Sequence, residues 1–261
     1  MNKSNFKIVF FGTPDFAMPV LEALIKNGYN VSHLKSKSLK DEAIFDEFKK
    51  LNPDVCVVAA YGRIIPQKFL DIPKYGFINV HPSLLPKYRG PSPIQTALLN
   101  DDKETGVSIM LIDAEVDHGP VLATRELSMS NVQFSNHDEL AKELFKIGAN
   151  LLIETLPKYI KGEIKPQEQD HSQATFTKMF KREDGKINWS EPSEKIFAQI
   201  RALNPEPGTW TTWKGKIINI KKAELYSGEI EIKTIQMEGR KEMSFEKFLN
   251  GHPDFDISQL K

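Results

Sequence analysis

A single cysteine, Cys56, leaves this 261-residue chain without a partner for an internal disulfide and without the thiols of a cysteine metal site. It lies in the apolar run Val55-Cys56-Val57-Val58-Ala59-Ala60, where it reads as a small core residue rather than a nucleophile. No apolar stretch approaches the roughly 20 residues that cross a bilayer. The N-terminus lacks the cationic, then apolar, then small-residue order of a secretion signal. A cytosolic protein with no membrane segment is expected. An excess of either charge is missing too, since Lys plus Arg and Asp plus Glu each total 35. No overall basic field advertises nucleic acid, although a local patch would suffice to meet one. His33, His118, His137, His171 and His252 show no metal-ligand spacing, so no metal is expected. Glycine is also scarce where a dinucleotide site would need it. After the first apolar run only Gly12 of the three required glycines is present, and Pro14 removes an amide that might have met a phosphate.

What is present alternates strand and helix. Lys7–Phe11 reads as a buried strand breaking at Gly12-Thr13-Pro14-Asp15, with Asp15 placed to cap the helix that carries Val20, Leu21, Leu24 and Ile25. A weak strand near Val31 and a helix bearing Ala43, Ile44, Phe48 and Leu51 follow. Val55–Ala60, Phe77–Val80 and Gly106–Ile112 read as further strands, with helix Pro93–Leu99 between the last two. Such alternation implies a mostly parallel sheet covered on both faces, with ligands bound beyond the carboxyl ends of its strands. A long helix over His137–Tyr159 ends this region. The polar run Gln167–Gln173 then reads as a linker or exposed ribbon. Beyond it, Trp210–Trp213 and Lys216–Ile220 read as short strands of a small, mainly β second domain. The boundary is placed between residues 176 and 177.

The chemistry concentrates in Asn79-Val80-His81-Pro82-Ser83-Leu84-Leu85-Pro86 and in Asp117-His118-Gly119-Pro120. Asn79 and His81, two apart on an extended segment, point to one side. An amide and a protonated imidazole can hold a developing oxyanion, and a carboxylate can set the imidazole's charge and collect protons. Asn79, His81 and Asp117 therefore suit acyl transfer to an amine without metal or thiol. Taken alone, a histidine is more often core, an asparagine a cap, and an aspartate in Asp-His-Gly plain turn chemistry. Lys35–Lys40, Lys178–Arg182 and Lys214–Lys222 read as solvated faces, the last two also placed to meet phosphates. Trp189, Trp210 and Trp213 read as core or interdomain anchors.

These residues resemble a known family. Gly12–Ala17, Ala60-Tyr61-Gly62, Asn79–Gly90, Pro93-Ile94-Gln95 and Glu104–Val107 together look like the folate-dependent formyltransferases. Ile187–Ser190, Arg201–Pro205 and Gly251–Phe255 extend the match and favour the methionyl-tRNA formyltransferases among them. The resemblance implies a Rossmann-like α/β domain, residues 1–176, followed by a small OB-like β-barrel domain, residues 177–261. It implies formyl transfer from 10-formyltetrahydrofolate to the α-amine of methionyl initiator tRNA, by a monomer, with Asn79, His81 and Asp117 catalytic. Ser83, Leu84, Leu85 and Pro86 would line the folate site, with the turn at Arg63 and Ile64 beside the pterin. The chain is shorter than the family pattern between Asn30-Val31 and Ser38-Leu39, where a basic loop grips the tRNA acceptor end, and between Leu225 and Ile232. Both differences bear on the acceptor rather than the chemistry. A formyltransferase acting on an amino sugar nucleotide or other small amine, and a non-catalytic RNA- or folate-binding relative, are the alternatives.

Overall fold

A computed structural model describes residues 3–35, 38–130 and 134–257. The chain forms two compact units. The first comprises residues up to 93, 104–132 and 141–177, and the second 94–103, 133–140 and 178 onward.

The first unit is built on a six-stranded sheet whose order in space is β2-β1-β3-β4-β5-β6. The strands are β1 (Lys7–Gly12), β2 (Asn30–His33), β3 (Val55–Ala59), β4 (Phe77–His81), β5 (Glu104–Leu111) and β6 (Val121–Ser128). β2, β1, β3 and β4 run parallel, joined through α1 (Met18–Lys26), α2 (Glu42–Leu51) and α3 (Gln67–Leu70). β5 runs antiparallel to β4, and β6 antiparallel to β5, so the parallel part of the sheet ends at β4.

Asp15 does not cap α1. It opens a short 3-10 turn, Asp15–Ala17, and α1 begins after it with no side-chain cap. A proline in the first turn serves instead, since its fixed φ suits a helix start and its absent N–H would have gone unpaired there. Asp41 does cap α2, accepting from the Ala43 amide at 2.9 Å, and Asn52 closes that helix in the left-handed region, φ 46°.

Period-two alternation places Val9, Phe11, Cys56, Val58 and Phe77 on one sheet face, where they pack with Phe48 of α2 and Phe69 of α3. Each such fully buried aromatic or aliphatic side chain contributes roughly 1.5–3 kcal/mol of transfer free energy. On β4 the row begun by Phe77 continues as Asn79 and His81, turning polar toward the carboxyl end. The opposite row, Ile78 and Val80, is buried. Val80 meets Gly148 of α5 (His137–Ile160), where an added Cβ would lie 2.5 Å from a Val80 methyl. Helix and strand approach this closely because residue 148 has no side chain.

The second unit carries a four-stranded antiparallel sheet in the order β10-β9-β8-β7. Its strands are β7 (Thr209–Trp213), β8 (Lys216–Tyr226), β9 (Glu229–Met237) and β10 (Met243–Ser244). The unit also includes α4 (Pro93–Leu99) from Ile94 on, and helices α6 (Ser193–Leu203) and α7 (Phe245–Gly251). Trp189, Ile196, Ile200, Trp213, Ile218 and Phe248 share its core. The β7–β8 and β8–β9 hairpins close with two-residue turns. Lys214-Gly215 has φ of 49° and 73°, and Ser227-Gly228 has 51° and 81°. Positive φ at both central residues matches the strand twist of a tight hairpin. The stretch between Leu225 and Ile232, short against the family pattern, is thus a continuous paired hairpin, Tyr226 opposite Glu229. In the other short stretch, Ser36 and Lys37 lie outside the described residues.

Candidate active site

β4 delivers Asn79 and His81 to the face over which the β5–β6 connection brings Asp117. Asn79 Nδ2 donates to Asp117 Oδ1 at 3.2 Å, and His81 Nδ1 lies 3.5 Å from the same oxygen. Asp117 Oδ2 accepts the Gly90 amide at 2.8 Å. His81 is buried, and its Nε2 sits 3.0 Å from the Tyr88 carbonyl. A carbonyl only accepts, so Nε2 carries hydrogen and Nδ1 is the ring atom turned toward Asp117. One Asn79 N–H is spent on Asp117 and the second is left to donate elsewhere. The structure therefore brings together the three residues the sequence singled out.

Asp117 sits at φ 48°, a region that costs most side chains energy and that aspartate tolerates better than most. Sequence reading missed what holds it there. Gln169, from the run read as a linker, is buried, and its Nε2 donates to the carbonyls of Asp117 at 2.9 Å and Gly119 at 2.7 Å. The rest of the run is exposed, as the ribbon alternative has it, but it does not hang free: Gln169 ties it to Arg89 in the loop after β4. Gln167 bridges Val121, and Phe176 bridges Arg89. Thr175 Oγ1 accepts the Tyr88 amide at 2.8 Å, and Thr177 Oγ1 donates to the Arg89 carbonyl at 3.1 Å. Polar side chains used to tie backbone look no different, in sequence, from polar side chains facing water. His118 pairs with Asp113 at 2.7 Å and stacks on His171, ring centroids 4.1 Å apart, so it buttresses the loop rather than joining the trio.

The folate-loop candidates surround Ser108, a second residue missed. Ser108 Oγ donates to the Ser83 carbonyl at 2.7 Å and accepts the Leu85 amide at 3.0 Å. Ser83 is buried with its hydroxyl on the Lys87 carbonyl at 2.6 Å, so it shapes the loop. Leu84, Leu85 and Pro86 are half-buried. Arg63 and Ile64, in the loop after β3, are exposed, Ile64 by 87%. Arg63 lies over the Tyr61 ring, 6.0 Å from its centroid. A cavity of about 560 Å³ opens beside Asp117, lined by Arg89, Gly90, Glu115, Val116, Phe176 and Thr177. Val116 and Phe176 among these are 59% and 69% exposed, an apolar lining in water. Among the described residues no group of three or more histidine, cysteine or acidic side chains is placed to hold a metal.

Residues 19–156 match the family described as Formyl transferase, and residues 179–231 match Formyl transferase, C-terminal domain. The methionyl-tRNA formyltransferase of Chloroflexus aurantiacus is 40% identical over 254 residues, covering 85% of this chain and 81% of the relative. The chain belongs to the formyltransferase family. The resemblance read from its motifs, to the methionyl-tRNA formyltransferases, is borne out. That of Thermodesulfovibrio yellowstonii is 36% identical across 94% of this chain and 95% of its own length. Its alignment runs to 296 positions, more than the 261 residues here, so that relative carries internal segments this chain lacks. Solved structures share the fold. The methionyl-tRNA formyltransferase from Clostridium thermocellum matches with a TM-score of 0.72 at 22% identity, over 89% of this chain and 98% of that one. HypX from Aquifex aeolicus, solved in complex with tetrahydrofolic acid, matches with a TM-score of 0.76 at 18% identity, over 94% of this chain and 46% of that one.

With family membership settled, the basic runs of the second unit divide. Arg182 is engaged within it, stacked 5.4 Å over Trp210 and bonded to the Pro207 carbonyl at 3.1 Å. Lys178 pairs with Asp184, and Lys214 with Asp254. Trp189 and Trp213 are core, as their reading implied; Trp210 is half-buried and donates to the Arg182 carbonyl at 2.8 Å. No described helix is long and apolar enough to cross a membrane.

Proposed function

We propose that the protein transfers the formyl group of 10-formyltetrahydrofolate to the α-amine of methionyl initiator tRNA, as a cytosolic monomer that uses no metal. The observation that carries this reading is the meeting of Asn79, His81 and Asp117 around one carboxylate oxygen, at 3.2 and 3.5 Å. Names borne by relatives at 36–40% identity over most of both chains support the acceptor.

The folate donor supplies an activated formyl carbon on an amine leaving group. The chain's residues do the rest. The unspent N–H of Asn79 and the Nδ1–H of a protonated His81 donate to the formyl oxygen as charge builds on it. The 3.5 Å separation between His81 and Asp117 is long for a hydrogen bond, so that N–H is not committed to the carboxylate. Asp117, anchored at Oδ2 by the Gly90 amide, has a remaining lone pair on Oδ1, beside the Asn79 hydrogen bond, for the proton the attacking amine must lose. The bond to the acceptor nitrogen forms, the bond to the donor nitrogen breaks, and one proton passes from the first nitrogen to the second. No net charge is left behind. Exposed Ile64 beside Arg63 offers an apolar face next to a cation, which suits a flat heterocycle with a polar edge. Ser83 through Pro86 would close its other side. The cavity walled by Val116 and Phe176 takes the aminoacyl side chain of the acceptor. Residues 1–176 would be the catalytic domain and 177–261 the domain that meets the tRNA.

The test is formyl transfer from 10-formyltetrahydrofolate to methionyl initiator tRNA, with methionyl elongator tRNA and an amino sugar nucleotide alongside. Initiator-selective transfer is expected. His81→Ala should lower kcat by about 100- to 1,000-fold, the usual cost of an oxyanion donor. Asp117→Asn should cost about 100-fold or more, a typical share for general base work. Near-wild-type turnover in His81→Ala would sink the mechanism. Transfer to the amino sugar alone would move the acceptor to a small amine.

A further inference from the structure

We propose that Gln169 is a positioning residue for the formyl transfer, setting the Asp117 carboxylate through its backbone, and that Arg89 fixes the amide's orientation. The inference rests on the reading of Asp117 as the proton acceptor.

Every hydrogen-bonding capacity of the Gln169 amide is used. Oε1 accepts from Arg89 Nε at 3.0 Å and Nη2 at 2.8 Å. Nε2 donates to the Asp117 and Gly119 carbonyls at 2.9 and 2.7 Å. A guanidinium only donates, so Arg89 compels Oε1 to face it and Nε2 to face the two carbonyls. Arg89 is itself buried, and its Nη2 also reaches His171 Nδ1 at 2.8 Å. The two carbonyls held by Gln169 flank His118 and belong to the turn in which Asp117 takes φ 48°. Without those donors both carbonyls are left unpaired, and the strained backbone loses the hydrogen bonds that hold it directly, keeping only the side-chain ties of His118 and of the Asp117 carboxylate. The carboxylate would then drift from the 3.2 Å and 3.5 Å separations to Asn79 and His81. Displacements of about 1 Å at reacting groups cost on the order of 100-fold.

The decisive variant is Gln169→Glu, the same length and nearly the same volume. It keeps an acceptor for Arg89 and replaces the two donors by an acceptor that faces two carbonyls. Three quantities are read: kcat for transfer to methionyl initiator tRNA, the Kd for tetrahydrofolate, and the thermal midpoint. The same substitution is then made on Asp117→Asn. A loss in kcat of about 10- to 100-fold is expected, with the tetrahydrofolate Kd within about twofold and the midpoint within a few degrees. On the Asp117→Asn background the second substitution should cost almost nothing, because the two act as a unit. An equal fold-loss on both backgrounds, unchanged kcat, or a kcat loss that only follows weakened folate binding or unfolding would overturn the assignment. Should Gln169→Glu fail to fold, Arg89→Lys is carried through the same cycle, since a point charge cannot hold the amide at two positions. Wild-type turnover in Asp117→Asn would instead refute the proton role beneath the inference, a distinct result.

Discussion

Residue type decides little in this protein until its neighbours are named. His33 and His81 both end strands of one sheet. His33 places Nε2 at 2.9 Å from the Gly12 carbonyl and packs edge-on against Phe10, centroids 5.2 Å apart, and pairs with no carboxylate among the described residues. His81 has one nitrogen on a carbonyl and the other turned to a carboxylate, and only that arrangement can pass a charge to a ligand. The lone thiol makes the same point from the other side. Burial pushes the Cys56 thiol well above its ordinary value, and the Val9 amide offsets only part of this. Thiolate is the reactive form, so Cys56 should be inert in the native state. A colorimetric disulfide reagent should find no reactive thiol in the folded protein at pH 8, and one per chain after denaturation. Fast labelling without denaturant would mean that the central sheet opens.

At the scale of elements, the β5–β6 connection carries Asp117, the proposed proton acceptor, and Gly119 sets its path. A Cβ there would lie 2.1 Å from the Leu111 carbonyl, a backbone atom with no freedom to withdraw. Gly119→Ala should therefore displace the turn, reducing kcat by about 10-fold or more while costing roughly 1–3 kcal/mol of stability. A variant with full kcat and an unchanged urea midpoint would mean the turn is softer than its contacts suggest. This connection also shows what was legible in the sequence. β1, β3 and β4 were plain from apolar runs that a sheet buried on both faces demands. β6 was not, since Val121–Ser128 pairs only with β5 within the sheet and its outward residues are polar. Asn79 and His81 were legible from strand periodicity. Asp117 became visible only through company, because its tetrapeptide reads equally as a turn. Gln169 and Ser108 carried no signal at all: each works by bonding backbone distant in sequence, and nothing in a polar run marks that use. Asp15 was over-read, since a cap inferred from residue type ignores where the helix actually begins.

For the molecule as a whole, a formal net charge of zero means that no long-range field draws in the acceptor, and any grip on RNA is local. On the second unit, Lys216, Arg240 and His252 line a cavity of about 590 Å³ with Met237, Glu238 and Met243. Other cations there already face acids: Lys233 lies 2.7 Å from Glu231, and Lys195 lies 3.2 Å from Glu191. If the second unit meets phosphates at this cavity, each contact contributes about 0.7 to 0.9 to the slope of log affinity against log salt. Replacing both Lys216 and Arg240 by Gln should then make that slope shallower by about 1.4 to 1.8. KM for the tRNA should rise, and kcat at saturation should hold, because neither side chain is part of the first unit where Asn79, His81 and Asp117 meet. The measurement is kcat/KM for methionyl initiator tRNA across a series of potassium chloride concentrations. An unchanged slope would place the phosphate contacts elsewhere, and a fall in kcat would tie this cavity to chemistry rather than to grip.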